Sequence, residues 1–261
     1  MALTRLKRYL ITPLCIGMLL ISQTACTATQ LPPYEATYTA KLRGIKIRGL
    51  RKFEEIDKDT YKLSWRAKAL WMRLDEWSVF KVIDEKVIPV SYHYTRKGLG
   101  TDRPVHIYFD WEKMEASGSK GKNKYVFALE PNTLDKLSFQ VQLQIDLLHN
   151  KQLASTNYRI ARYNRLADYQ FSYLHNESID TELGAQNTLV YERKKKDGGT
   201  KLWISPEQNY LPVKIENVDD GKSNVMLIRS WDSESLHKNV ESIAQLNDEN
   251  TSADNLSLIH I

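Results

Sequence analysis

The stretch "HIYFDWE", residues 106–112, places three proton-moving side chains close together: His106, Asp110 and Glu112. An imidazole titrates near neutral pH and can serve as general acid or base. Two carboxylates facing one another about 5–9 Å apart across a groove are the apparatus of glycoside hydrolysis. On a strand, His106, Asp110 and Glu112 share one face, whereas Glu54/Glu55 and Asp75/Glu76 are adjacent and point to opposite faces. If this chain does catalysis, hydrolysis of envelope polysaccharide by His106, Asp110 and Glu112 is the chemistry these residues suit. The plainer reading of His106, and of His93 in "SYHYT", is a partly exposed imidazole bonded to a neighbour. A metal centre needs a third convergent ligand, and none is recognisable. His149 falls at the end of an expected helix, where a cation meets the helix dipole, and His175 in an expected loop.

Other chemistries lack their residues. There is no G-x-S-x-G nucleophile elbow. The stretch "SGSKGKNK" at 117–124 lacks the G-x-x-x-x-G-K-[ST] frame and reads as a flexible hairpin loop. No cofactor is expected. Aromatic residues are the more informative set: Trp65, Trp77, Trp111, Trp203 and Trp231, with many tyrosines, fall on strand-like runs. Such rings pack a β core, and they also line lipophilic cavities. Trp65, Trp77, Tyr92, Tyr94 and Trp111 are the candidate ligand-contacting residues.

The elements that must position these side chains are strands. In "YKLSWRAKALW", residues 61–71, Tyr61, Leu63, Trp65, Ala67 and Ala69 alternate with Lys62, Ser64, Arg66 and Lys68. A period of two marks a strand with one dry and one wet face. Ile45 and Ile47 alternate with Lys46 and Arg48, and Val90, Tyr92 and Tyr94 with Ser91, His93 and Thr95. Val105, Ile107, Phe109 and Trp111 alternate in the same way with His106, Tyr108 and Asp110. After residue 150 the strand-like runs resume and continue to Trp231, with "ERKKKDGGTK" at 192–201 as a charged hairpin tip.

One segment breaks the rhythm. Leu134, Leu137, Val141, Ile145 and Leu148 recur at helical spacing after Pro131. This predicts a helix over 133–149 capped by Asn132 or Thr133, with Asp135 in its first turn. The fold expected is mainly β: a strongly curved antiparallel sheet or open barrel of about 11–12 strands, with one amphipathic helix packed on it. Runs of about 8–11 residues correspond to strands roughly 27–36 Å long.

The ends bound the compartment. Arg5, Lys7 and Arg8 precede an apolar run from Leu10 to Ile21. A bilayer span needs about 20 apolar residues, and a signal-peptide core about 7–15, so the run predicts export to the periplasm. Small residues at Cys26 and Ala28 suit cleavage after 28. The alternative is an outer-membrane lipoprotein lipidated at Cys26, although Gln23 stands where a lipobox carries an aliphatic residue. The soluble reading is preferred, with membrane attachment only through Cys26; it leaves no cysteine for disulfide, nucleophile or metal site. Loss of the leader's three cations takes the formal charge from +5 to +2. That is no footprint for nucleic acid.

The domain organisation expected is a leader over 1–28, one β-rich domain over 29–232 and a polar disordered tail over 233–261. "LSLIHI", residues 256–261, resembles translated sequencing adaptor and is set aside.

Several motifs stand in order: "LPPYEATYTA", "YHYTRKGLGTDR", "YFDWE", "LDKLSFQVQLQIDL" and "LWISPEQNYLPVKIE". In these the chain resembles the secreted Gram-negative family called domain of unknown function 3108, over about residues 31–231. The resemblance brings no activity, catalytic residue or cofactor. The last motif is also loosely similar to a hairpin of the LolA/LolB lipoprotein carriers, half-barrels that hold acyl chains on an apolar concave face. The expected function is therefore a non-enzymatic, monomeric binding, carrier or assembly module for a lipophilic or envelope-derived ligand or an envelope protein. The polysaccharide hydrolase is the alternative. A purely structural assembly factor would instead show a broad exposed apolar patch.

Overall fold

A computed structural model describes residues 31–42, 45–69, 72–98 and 104–233. The leader, Cys26 and the tail beyond residue 233 lie outside the described residues.

The alternating runs become β1 (Tyr34–Leu42), β2 (Ile45–Asp57), β3 (Thr60–Ala69), β4 (Met72–Ile83) and β5 (Lys86–Lys97). Three short strands follow, β6 (Val105–Asp110), β7 (Glu115–Lys120) and β8 (Asn123–Ala128), and then helix α1 (Ser138–Asn150). The chain returns through β9 (Ser155–Arg162), β10 (Arg165–Thr181) and β11 (Gly184–Lys195). It ends with β12 (Gly198–Ser205), β13 (Leu211–Asp219) and β14 (Lys222–Asp232).

All fourteen strands form one antiparallel sheet in the order β8-β7-β6-β5-β4-β3-β2-β1-β14-β13-β12-β11-β10-β9. The chain starts mid-sheet, meanders to the β8 edge, crosses through α1 to the β9 edge and meanders back until β14 pairs with β1. The two edges do not pair, so the barrel stays open. Tight two-residue turns join neighbours: Asp84–Glu85 and Asp220–Gly221 both take positive φ at their two central positions, the geometry that matches strand twist.

The sheet curls around α1. Arg51 on β2 reaches Gln140, Val87 N donates to Gln142 at 2.8 Å, and Gln144 donates to the Asn209 carbonyl at 3.2 Å. Tyr158 on the opposite edge strand donates to Asp146 at 2.7 Å. A single thirteen-residue helix, roughly 20 Å long, can meet strands so far apart in sheet order only if the sheet wraps it. The core is a single cluster with Tyr38, Phe53, Leu63, Phe80, Ile107 and Leu147 fully buried.

Four sequence expectations need correction. The strands among the described residues number fourteen, because "SGSKGKNK" is not a loop: it supplies most of β7, the turn and the start of β8. Its glycine is structural, since a Cβ at Gly118 would lie 1.9 Å from the His106 carbonyl oxygen. The helix begins at Ser138, not 133, because Leu134 is held extended on β9, donating to the Arg159 carbonyl and accepting from Ala161 N–H. Nor is α1 a rod with one dry side: Gln142 and Gln144 are buried with the apolar positions, and each is hydrogen-bonded to backbone of the sheet or its turns. Lastly, Val90 is exposed and off the Tyr92/Tyr94 face, because a bulge between the Val79–Ser91 and Phe80–Pro89 pairs shifts the phase. Smaller displacements are Trp111 and Glu112, which lie in the β6–β7 turn, and His175, which is on β10.

Candidate functional site

On the concave side, inward phases of the strands leave room beside α1. Three neighbouring cavities open there, of about 560, 350 and 260 Å³. Tyr94 lines all three, and Trp65 lines the second and the third. Small-molecule sites commonly measure about 300–1,000 Å³, so the space suits a ligand of some length. Gly49, across from Ala67, makes room for the Trp65 ring, since a Cβ there would come within 2.6 Å of Trp65 Cζ2. Tyr38 also contacts the ring, at 5.1 Å between centroids.

The third cavity is mainly apolar, with Ile47, Ala67, Met72, Leu74 and Met226 on its walls, and Arg96, Asn217 and Asn224 also line it. The first and second are cationic. Arg96, Lys120, Lys136 and Arg162 line the first, and Arg51, Lys136 and Arg193 the second. The first lies at the open seam, where Tyr163 on the β9–β10 turn packs edge-on to Tyr125 of β8 at 6.4 Å and lies under the Lys120 ammonium at 4.0 Å.

Among the described residues, Glu76 is the single acidic one lining these walls. Its Oε1 accepts from Tyr92 Oη at 2.5 Å. Burial raises the Glu76 carboxyl above its ordinary value, with the Tyr92 hydrogen bond and the Lys136 charge offsetting part of the rise. Burial likewise lowers Lys136, with Glu76 opposing and Arg162, Lys120 and Arg193 adding to the fall. Tyr92 is pushed up by burial and then by the Glu76 carboxylate.

The family model described as "Protein of unknown function (DUF3108)" matches residues 34–228. The chain belongs to the DUF3108 family. Among solved structures it is similar to a beta-barrel-like protein of domain of unknown function DUF1849 from Brucella abortus. The two are 10% identical, with a TM-score of 0.53 and coverage of 78% of this chain and 98% of that one. At that identity the likeness speaks to the fold alone. No curated protein sequence matches the chain.

Of the residues singled out for ligand contact, the DUF3108 fold brings Trp65, Tyr92 and Tyr94 to the cavities. Trp77 and Trp111 lie elsewhere. Trp77 is on the convex face, stacked on His93 at 3.6 Å between centroids. Trp111 donates its indole N–H to the Pro89 carbonyl at 2.7 Å and stacks near Phe109.

The proton-moving set does not assemble. His106 Nδ1 sits 2.5 Å from His93 Nδ1, directly across the β5–β6 pair. Asp110 bonds the Lys113 ammonium at 2.7 Å, and that bond, with the Lys113 backbone N–H, holds its carboxyl below the ordinary range. Glu112 is exposed in the turn. His149 pairs with Glu85 at 3.1 Å. Among the described residues, no group of three His, Cys, Asp or Glu side chains could hold a metal ion.

The inward cations were missed by reading motifs, yet strand phase marks several of them. Arg51 shares the inward parity of Ile47 and Phe53, Arg96 that of Tyr92 and Tyr94, and Arg193 that of Leu189 and Tyr191.

Proposed function

We propose that this DUF3108 protein is an exported, non-enzymatic binding or carrier module that holds a lipophilic envelope-derived ligand inside the open barrel. The single observation that carries the reading is the apolar arm around Trp65, Met72, Leu74 and Met226, which shares the Tyr94 wall with the larger space at the seam. Apolar surface facing such a space gains by being covered, at about 25 cal/mol per Å² removed from water. The open seam between β8 and β9 offers a route of entry for a chain-like molecule without breaking a strand pair. The loose similarity of the Leu202–Glu216 hairpin to lipoprotein carriers points the same way.

The hydrolase alternative draws no support from the convex face. A general acid needs a raised carboxyl pKa, whereas Asp110 is held low by Lys113, and His106 is engaged with His93.

Titration with a neutral apolar fluorophore such as N-phenyl-1-naphthylamine tests the reading. Saturable enhancement, lost when Ala67 in the arm is replaced by Trp, is the expected result. No enhancement with folded protein contradicts it.

A further inference from the structure

The same cavities carry a second, independent signature. Arg51 is only 3% exposed, yet its Nη2 has no hydrogen-bond partner. Its other nitrogens are taken: Nε donates to Tyr34 Oη at 2.8 Å and Nη1 to Gln140. Arg162 Nε and Arg193 Nε are likewise buried without a partner. Arg193 is held over the Tyr169 ring, 3.7 Å from its centroid. Among the described residues, none of Arg51, Arg96, Lys120, Lys136, Arg162 and Arg193 forms an ion pair. Six cations thus line cavities to which the described residues contribute one carboxyl, Glu76, itself engaged by Tyr92; Arg96 is exposed and Arg51 is the buried one.

Buried charge is costly unless it is paired and hydrogen-bonded. Surface Arg and Lys do not need a counterion, but Arg51 is enclosed, positioned by two side chains and left one donor short. The guanidinium fork fits the oxygens of phosphate or carboxylate. We propose that these inward cations, centred on Arg51, Lys136, Arg162 and Arg193, bind the anionic head group, phosphate or carboxylate, of an amphiphile whose apolar part lies along the Trp65–Met226 arm. This rests on the lipophilic-ligand reading and adds to it the sign of the head group. Lys136 belongs to both cationic cavities and Tyr94 to all three, so the head-group cavities adjoin the apolar arm.

Calorimetric titration of the protein lacking its leader with dodecyl phosphate, dodecanol and inorganic phosphate, each below its aggregation concentration, tests this. Dodecyl phosphate is expected to bind more tightly than dodecanol by about tenfold or more, the worth of one good charge-assisted bond. That gap should close in Arg51→Gln and, should the buried site not tolerate that change, in the less enclosed Arg162→Gln and Arg193→Gln. Equal affinity for dodecyl phosphate and dodecanol overturns the head-group assignment while leaving the lipophilic cavity standing. Inorganic phosphate binding as tightly as dodecyl phosphate overturns the amphiphile in favour of a free anion. Binding of none of the three overturns both.

Discussion

Ser78 Oγ donates to Asp135 Oδ2 at 2.6 Å, joining β4 at the floor of the sheet to the loop that launches α1. Asp135 Oδ1 also accepts the backbone N–H groups of Leu137 and Ser138, at 2.8 and 2.9 Å, and Ser138 Oγ accepts from Asp135 N–H. The carboxylate therefore caps the helix from outside its first turn and anchors it to the sheet at once.

Asp135→Ala removes that cap and leaves Ser78 Oγ buried without its partner. Each effect is worth about 1–2 kcal/mol. Urea unfolding should show a loss of about 2–4 kcal/mol, and a loss below about 0.5 kcal/mol would mean the helix entry is held by something else.

Gly49→Ala pushes a methyl against the Trp65 indole, which is already in contact with the Tyr38 ring. Overpacking of this kind costs roughly 1–3 kcal/mol. The expected outcome is a lowered melting temperature together with weakened binding of the neutral fluorophore, because the ring moves into the cavity it lines. Unchanged binding would separate Trp65 from the ligand.

These two sites show what could be read without coordinates. Alternation in residues 61–67 was enough to place Trp65 inward, since a period of two admits only two faces. The β7–β8 hairpin was illegible because "EASGSK" is poor in branched and aromatic residues; it is a strand through its pairing with β6 and the close approach at Gly118. The helix start was misplaced for a similar reason. Leu134 and Leu137 fit a helical stripe, but Leu134 is taken by a backbone bridge to Ile160, a tertiary contact invisible to local spacing. The cationic lining escaped because charged residues were assigned to wet faces by type, although Arg51 and Arg193 keep the inward phase.

His93 is held to a pKa of about 4, first by burial against Trp77 and then by repulsion from His106. In the unfolded chain it titrates near 6.5. The unfolded state then binds the extra proton between those values, so this residue's contribution to stability is complete above about 6.5 and is lost as pH falls towards 4. NMR titration should give a His93 midpoint near 4, and His93→Phe should flatten the acid slope of the melting temperature. A midpoint at 6.5 or above would contradict this.

Glu76 is faced by Tyr92 and Tyr94 from β5, and by Lys136 and Asp135 from the segment before α1. Its raised carboxyl places its proton uptake above the ordinary range, and uptake removes the one negative charge on the cavity wall. Affinity for decanesulfonate, whose own charge is constant, should rise as pH falls through that range. Glu76→Gln should bind with the higher affinity throughout. A parallel pH profile in both proteins would rule Glu76 out as the source.

The central claim is that the space beside α1 holds an acyl amphiphile. Protein purified without detergent, extracted into organic solvent and quantified by mass spectrometry, tests it most directly. The account predicts an acyl-bearing species in amounts approaching one per protein, reduced in folded Ala67→Trp, whose new side chain fills the apolar arm. Extracts of the parent and of Ala67→Trp that both match a blank would contradict it.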